Sequence, residues 1–164
     1  MAQLFFENIA TFYTVDTSAH PREITQNDIN TFADCTGDYN PIHVDEGKVN
    51  QNSFVWTRIA RGKKIAHGLL TASVAVGLLN NHDILEGMVL LAIKDIIFLR
   101  PVWPGDKIHT VMSVMEKREP ENIFLRRYCG EIVCSLKVFN QKKEQVLDMT
   151  AILLAQRLQS LEET

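Results

Sequence analysis

The sequence predicts an α+β fold in which one buried helix is wrapped by a curved antiparallel sheet. The first observation is a helical segment from Leu69 to Asn80 that is apolar on nearly every side, as in the central helix of a domain. The second is a change to strand-like patterns after Gly87. The third is the length of 164 residues, from which we expect a single domain over residues 1–164.

Composition and charge exclude several classes of protein. Hydrophobic residues make up 46% and charged residues 23% of the chain, which is close to the globular average and excludes wholesale disorder. The formal net charge of −3 argues against a nucleic-acid partner, which would favour a basic excess. The N-terminus does not resemble a signal peptide, and no apolar run reaches the ~20 residues that cross a bilayer. We therefore expect a cytoplasmic protein without a membrane partner.

The three cysteines are Cys35, Cys129 and Cys134. Their number is odd and their spacing matches no zinc pattern. We expect free, buried thiols that pack as small hydrophobic side chains, and no metal site.

The first helix is indicated by capping residues. Thr25 can cap the free N–H groups, and Asp28 follows three residues later in the capping-box position. Apolar residues then recur at helical spacing, at Ile29, Phe32 and Ala33. Gly37 marks the expected end of this helix. A turn at Asn40–Pro41 follows, and then a long, polar and irregular excursion from Glu46 to Lys64.

Four strands are predicted after the apolar helix, and we expect them to form an antiparallel meander. Their ranges are Met88–Leu99, Lys107–Lys117, Phe124–Phe139 and Val146–Ala155. The segment 140–143 reads as the hairpin connection between the last two.

The densest group of reactive side chains is the segment 36–45, in which Asp38 and His43 lie five residues apart across a proline turn. A carboxylate and an imidazole in one pocket can hold a water between them and move its protons, which is the equipment for adding water to an activated double bond. The same residues are also good turn formers, so this cluster alone leaves structure and catalysis equally open.

A second feature favours catalysis. His67 and Gly68 lead directly into the apolar helix, whose free N–H groups and dipole favour a negatively charged oxygen, such as that of a thioester enolate. Gly68 permits close approach of a ligand to the backbone. His67 is either a positioning residue or a proton-transfer group, and the sequence leaves both open.

Together these residues resemble the MaoC-like (R)-specific enoyl-CoA hydratases. The hydratase motif of that family is similar to residues 37–45, and the resemblance continues through 66–70, 98–102 and 105–106. It covers most of the chain, from about Ile24 to Ala155.

The resemblance implies a hot-dog fold, a homodimer whose sheets join edge to edge, and the addition of water to trans-2-enoyl thioesters to give (R)-3-hydroxyacyl products. It implies that Asp38 and His43 are catalytic, that Asn40 orients His43 or its loop, and that the Gly68 N–H binds the thioester oxygen. The expected substrate-binding residues are His67, Leu69 and Tyr39. It implies no metal or redox cofactor, and coenzyme A or phosphopantetheine only as part of the substrate.

The chain departs from the family pattern between residues 46 and 64. The residues Arg58, Arg61, Lys63 and Lys64 could meet the phosphates of coenzyme A or form a solvated basic patch. Phe54 and Trp56 could line an acyl tunnel or anchor the excursion.

Several functions remain open from the sequence. A 3-hydroxyacyl-[acyl carrier protein] dehydratase and a mesaconyl-type hydratase belong to the same family. A hot-dog thioesterase would leave His43 without a clear task. A non-catalytic acyl-thioester binding subunit would not need both Asp38 and His43.

Overall fold

The computed structural model describes residues 5–52, 58–80 and 87–158. Within these ranges a short 3₁₀ helix covers Phe6–Asn8, and the α-helices include α1 (Gln26–Thr36), α2 (Pro41–Val44), α3 (Glu46–Asn52) and α4 (Gly68–Asn80). The strands of the described residues are β1 (Thr14–Asp16), β2 (Arg22–Glu23), β3 (Met88–Phe98), β4 (Lys107–Arg118), β5 (Cys129–Asn140) and β6 (Gln145–Gln156). They form one antiparallel sheet, and the predicted α+β class is confirmed.

The order of the strands differs from the predicted meander. β4, β5 and β6 are sequential neighbours, but β3 pairs with β6 and not with β4, so the order is β1-β4-β5-β6-β3 with β2 also beside β4. The connection from β3 to β4 contains Pro101 and Pro104 and is tied to the chain before α4 by the Ala66 N–H, which donates to the Val102 carbonyl at 2.7 Å. This connection runs past the start of α4 and cannot close a tight hairpin, so β3 pairs at the far edge of the sheet.

Helix α4 lies in the core, as its apolar pattern predicts. Its buried residues are Leu70, Thr71, Ala72, Ala75, Leu78 and Leu79. The hydroxyl of Thr110 on β4 donates to the Ala75 carbonyl at 2.9 Å, so a small residue on the helix allows direct contact with the sheet. On β4 the alternate residues Ile108, Thr110, Met112 and Val114 are all buried, so this face of the strand packs against the core.

The predicted ends of α1 are confirmed. The Thr25 hydroxyl accepts from the Asp28 N–H at 3.1 Å, while the Asp28 carboxylate accepts from the Thr25 N–H at 2.7 Å. Gly37 ends the helix with a φ of 78°, a left-handed conformation that glycine adopts without strain. Local chemistry therefore fixes where the chain leaves α1, directly before the polar segment.

Other elements differ from the predictions. The irregular excursion begins with helix α3, and residues after Asn40 form the short helix α2 rather than a simple turn. Strand β5 begins at Cys129, because residues 123–128 form turns in which the Tyr128 N–H donates to Leu125. The strands β1 and β2 were not predicted, since three-residue and two-residue strands carry almost no periodic signal.

The expectation of buried thiols holds only for Cys134. Cys129 is half-buried and Cys35 is exposed on α1, while all three are free. Burial raises the pKa of the Cys134 thiol to about 12. Within the described ranges, no helix has the length and apolar character needed to span a membrane. Phe54 and Trp56 lie outside the described residues, so neither interpretation of them is tested.

Candidate active site

The end of α1 and the start of α2 place the first two predicted residues. After the left-handed Gly37, the Asp38 carboxylate accepts from the Asn40 N–H at 3.2 Å. Asn40 then caps α2, where its side-chain oxygen accepts from the Ile42 N–H at 3.3 Å, and Pro41 occupies the first turn. Asp38 therefore precedes the cap and His43 lies on the short helix that follows.

The tautomer of His43 follows from its hydrogen bond. Its Nδ1 lies 2.8 Å from the Ile65 carbonyl oxygen, which can only accept, so the proton is assigned to Nδ1. In the neutral ring Nε2 is then an unprotonated acceptor. Burial lowers the pKa of His43, and the proximity of His67 adds to this, against opposing effects of the Ile65 carbonyl and Asp38. His43 is thus held in the form that can accept a proton.

His67 connects the two catalytic candidates. Its ring stacks on His43 with centroids 3.8 Å apart and an interplanar angle of 30°, and its Nε2 donates to the Asp38 carbonyl at 2.9 Å. Only 2% of the residue is exposed. The ring of Phe32 on α1 packs against it at 5.0 Å. One buried side chain therefore fixes the backbone of Asp38 and the ring of His43 at the same time.

The three side chains form a compact cluster. Asp38, His43 and His67 each place one potential ligand atom within 4.8 Å of the others, and the Asp38 carboxylate lies 3.9 Å from Nε2 of His67. Both imidazoles use one nitrogen to donate to a backbone carbonyl, which leaves one unprotonated nitrogen on each neutral ring. The geometry therefore places a carboxylate and two imidazoles within reach of one another.

The start of α4 lies beside this cluster. Among the described residues, no backbone carbonyl accepts from the N–H of Gly68, as expected for the first residue of a helix. A Cβ at Gly68 would lie 2.7 Å from the ring of Phe98, so the backbone is approached closely from one side. The free N–H of Gly68 therefore lies beside the Phe98 ring, and only glycine at position 68 leaves room for that ring.

These groups share one cleft of about 730 Å³. Asp38, His43, His67 and Gly68 all line it. Its apolar lining includes Phe32, Ile65, Leu69, Phe98, Val102 and Val146. The residues that carry a carboxylate, an unprotonated imidazole nitrogen and a free helix N–H thus line a space that can hold an apolar chain with a polar reactive end.

Comparison with known proteins identifies the family. A family model described as a MaoC-like domain matches residues 13–128, which is most of the chain. The chain belongs to the MaoC-like dehydratase family.

Named relatives of this MaoC-like chain include two dehydratases. The 3-hydroxybutyryl-CoA dehydratase of Methylorubrum extorquens is 30% identical over 149 residues, which cover 91% of this chain and 82% of that protein. The mitochondrial 3-hydroxyacyl-[acyl-carrier-protein] dehydratase of Arabidopsis thaliana is 26% identical over 141 residues, which cover 84% of this chain and 75% of that protein.

Solved structures agree with the fold. A monoamine oxidase regulatory protein from Archaeoglobus fulgidus superposes with a TM-score of 0.80 at 30% identity, covering 95% of this chain and 96% of that one. A Mycobacterium tuberculosis protein described as a double hot-dog fold gives a TM-score of 0.68 at 15% identity, covering 99% of this chain and 47% of that one. The expected hot-dog fold is confirmed.

Not every predicted site residue of this MaoC-like protein lines the cleft. The Tyr39 side chain is exposed, does not line the cleft, and donates its hydroxyl to Asp34 at 2.8 Å. Asn40 does not line the cleft; its side chain caps α2 and its carbonyl accepts from the His43 N–H at 2.9 Å, so it orders the turn that carries His43. Leu69 lines the cleft and is 61% exposed.

Two groups at the candidate active site are not predicted from the sequence. The Ile65 carbonyl selects the His43 tautomer, but a backbone acceptor 22 residues away leaves no trace in residue types. Phe98 lies against Gly68, although its residue type and the family resemblance at 98–102 give no sign of that contact. A glycine followed by an apolar helix was the available signal for such a close neighbour.

Proposed function

We propose that the protein catalyses the reversible hydration of trans-2-enoyl thioesters to (R)-3-hydroxyacyl thioesters. The observation that carries this proposal is the unprotonated Nε2 of His43 close to the Asp38 carboxylate, in the cleft that Gly68, with its free N–H, also lines. The names of the two relatives above support the reaction class, and the resemblance of residues 37–45 to the (R)-hydratase motif supports the stereochemistry.

The proposed step transfers one proton twice, from water to His43 and from His43 to C2. One O–H bond and the C2–C3 π bond break, and a C3–O bond and a C2–H bond form. A water donates one hydrogen bond to Asp38 and one to Nε2 of His43, and His43 takes its proton as the oxygen bonds to C3 of the substrate. The C2–C3 double bond shifts toward the thioester carbonyl, whose oxygen becomes negative and accepts from the Gly68 N–H. The imidazolium then returns a proton to C2, so the net change is one added water.

Each group has a separate energetic task. General acid–base transfer by a positioned side chain contributes roughly 10²–10⁴-fold. A preorganised oxyanion donor contributes about 10²–10³-fold. Because adding water neither oxidises nor reduces the substrate, the reaction needs no redox cofactor, and each step above is assigned to a residue of the protein. Coenzyme A or phosphopantetheine enters as the carrier of the acyl group.

The reaction is tested by mixing the purified protein with crotonyl-CoA and following the loss of enoyl-thioester absorbance, with chiral analysis of the product. We expect rapid loss and the (R)-alcohol. Formation of the (S)-alcohol would contradict the stereochemical part of the proposal. Release of free thiol without hydration would favour a thioesterase instead. Binding without conversion across branched, dicarboxylic and longer acyl thioesters would favour a binding subunit.

We also infer that two copies pair through β3. Within the described residues this strand pairs only with β6, so its other edge is open. The strand also exposes a series of large apolar side chains, namely Val89, Leu90, Leu91, Ile93, Ile97 and Phe98. Sedimentation should report about twice 18.6 kDa, whereas a monomer at micromolar concentration would contradict the pairing.

A further inference from the structure

We propose that His67 is a positioning residue whose Nε2–H fixes the Asp38 carboxylate beside His43, and whose ring neither binds substrate nor transfers a proton. This inference rests on the proposed function and names the residue that assembles its acid–base pair. It decides between the two roles that the sequence leaves open for His67. The contacts of the segment 37–40, the tautomer of His67 and the setting of its ring carry the inference.

The exposed segment 37–40, which contains Asp38, is held to the rest of the fold by His67. Among the described residues, every other hydrogen bond of this segment joins residues at most five positions apart. The Tyr39 hydroxyl, for example, donates to Asp34 at 2.8 Å. The Nε2–H of His67, by contrast, donates to the Asp38 carbonyl at 2.9 Å from 29 positions away. The local bonds shape the turn, while His67 fixes where the turn lies.

This hydrogen bond acts on the carboxylate because the accepting carbonyl belongs to Asp38 itself. A shift of the carbonyl changes the backbone torsion angles of Asp38 and swings its side chain. That side chain is 53% exposed and, within the described part of the chain, accepts from the Asn40 N–H at 3.2 Å, inside the same turn. The ring of His43 is held separately, by the Ile65 carbonyl. His67 contacts both Asp38 and His43, so it fixes one relative to the other.

The hydrogen bond to Asp38 also fixes the tautomer of His67. A carbonyl oxygen only accepts, so the proton is assigned to Nε2, and Nδ1 of the neutral ring is an acceptor. Nδ1 is buried, and no group of the described residues donates to it. One nitrogen is therefore engaged with the backbone, and the other is shut away from solvent. Neither is placed to exchange a proton with substrate.

A positive charge on His67 would oppose the proposed step. When His43 takes the proton of water its ring becomes cationic, and the ring of His67 is stacked on it with centroids 3.8 Å apart. Two positive rings at this separation repel each other, and more strongly in a buried site than in water. His67 therefore remains neutral while His43 takes up and returns the proton.

His67 is itself held in one position. Its carbonyl, directly before α4, accepts from the Thr71 N–H at 3.1 Å and from the Thr71 hydroxyl at 3.2 Å. Its ring contacts both His43 and Phe32, with the Phe32 centroid 5.0 Å away. The exposed turn of Asp38 is thus tied to the buried start of the central helix, which is the kind of support that a precisely placed acid–base pair needs.

Two variants separate the N–H of His67 from its ring. His67→Gln retains a side-chain N–H donor and removes the ring, whereas His67→Phe retains a ring and removes the donor. We expect His67→Phe to fold, because Nδ1 has no partner to lose and water can reach the exposed Asp38 carbonyl. His109→Phe is the matched control, since it makes the same change in an imidazole that is stacked on Phe139 and lines no part of the cleft. Thermal melts verify the fold of each variant.

The hydration of crotonyl-CoA measures the effect of each variant. We expect His67→Phe to lower kcat by about 10–10²-fold with KM nearly unchanged, because a displaced carboxylate affects the reacting water and not the binding of substrate. His67→Gln should restore kcat to within about threefold of wild type, and His109→Phe should change it by less than about twofold. A wild-type kcat in His67→Phe would overturn the positioning role. Equal losses in the two His67 variants would also overturn it, since glutamine can donate a hydrogen bond but cannot take a proton.

A double-mutant cycle shows whether His67 acts through Asp38. The charge that His67 positions is absent from Asp38→Asn, so adding His67→Phe to that variant should slow it by less than about twofold. Multiplication of the two separate losses in the double variant would overturn action through Asp38.

NMR measures the positioning without turnover. Nitrogen-15 spectra of the wild-type histidines should show the proton of His67 on Nε2, with no second proton bound while His43 titrates. The order parameters of the backbone amides in the segment 37–40 should fall in His67→Phe and recover in His67→Gln. A proton on Nδ1 of His67, or unchanged order parameters in His67→Phe, would overturn the proposal.

These failures are distinguishable from failure of the proposed reaction. If wild type hydrates crotonyl-CoA but the order parameters do not respond, the reaction stands and the positioning role fails. If the order parameters respond as expected but wild type hydrates no enoyl thioester, His67 positions Asp38 and the proposed reaction fails.

Discussion

Two clusters of titratable side chains in this protein differ in how completely they are paired. In the terminal ion cluster, Arg157 contacts Glu7 at 3.2 Å and Glu119 at 2.6 Å, and lies 4.7 Å from the centre of the Phe6 ring. Glu7 also accepts from the Leu158 N–H at 2.9 Å. In the active-site cluster, by contrast, each imidazole makes one hydrogen bond and keeps an unused nitrogen.

The pairing decides what each cluster can do. Burial raises the pKa of Glu7, but the Leu158 hydrogen bond and Arg157 outweigh it and hold the pKa below its usual value. Glu119 raises the pKa of Arg157. Both groups therefore stay ionised and bound to each other. Burial instead lowers the pKa of His43 and leaves Nε2 available. The paired charges of the terminal ion cluster hold distant parts of the chain together, whereas the free Nε2 of His43 remains available to a substrate.

Removing the imidazole of His43, the proposed base, should have the largest effect on the hydration rate. His43→Ala should lower kcat by about 10³–10⁴-fold, because no other group at that position can take the proton of water. The measurement is the hydration rate of an enoyl thioester, with circular dichroism to verify the fold. The control is His109→Ala, which removes an imidazole stacked on Phe139 away from the cleft. Activity within tenfold of wild type in His43→Ala would show that the role is misassigned.

The free helix N–H can be removed separately from its steric surroundings. Gly68→Ala and Gly68→Pro both add a Cβ that must displace the Phe98 ring, but only proline removes the N–H, at a first-turn position where it is tolerated. We expect Gly68→Pro to be a further 10²-fold slower, roughly, than Gly68→Ala. Equal rates for the two variants would argue that the N–H does not contact the thioester oxygen.

The role of the Asp38 carboxylate is tested by an isosteric substitution. Asp38→Asn keeps the shape of the side chain but removes its charge, and should lower kcat by about 10²-fold with little change in thermal stability. A wild-type rate in this variant would contradict paired handling of the water by Asp38 and His43.

The pH dependence sharpens the contrast between the two clusters. The reactive form of His43 is neutral, and its folded pKa lies below the ordinary 6.5. Activity should therefore persist as the pH falls through 6.5 and be lost only below it, as the ring becomes protonated. A profile of kcat/KM against pH measures this directly. An acidic limb with a midpoint above 6.5 would contradict a buried, neutral His43.

A substitution in the terminal ion cluster should have the smallest effect on catalysis. Arg157→Ala removes two ion pairs and a cation–π contact, and should cost about 1 kcal/mol of unfolding free energy, or roughly 2–4 °C in Tm. The rate of hydration at 25 °C should change by less than twofold. Thermal melts and steady-state rates check both parts, and a large loss of kcat without loss of Tm would mean that the two clusters are coupled.

Short-range chemistry made the site predictable. The Thr25–Asp28 capping box, the left-handed Gly37 and the Asn40 cap each act within four residues, and together they position Asp38 and His43. The stacking of His67 on His43 joins residues 24 apart, and nothing in their identities reveals it. The position of β3 beside β6 depends on how the connection through Pro101 and Pro104 packs against residues before α4. Such contacts form only when the whole domain folds.

The central claim is that Asp38 and His43 hold one water on one face of the substrate. Hydration of a trans-2-enoyl thioester in D₂O tests it, because the proton that His43 returns to C2 becomes a deuteron. NMR of the product gives the position of that deuteron relative to the new hydroxyl. The account predicts syn addition with the hydroxyl in the (R) configuration. Deuterium on the opposite face, or on both faces from the start of the reaction, would contradict delivery by this single cluster.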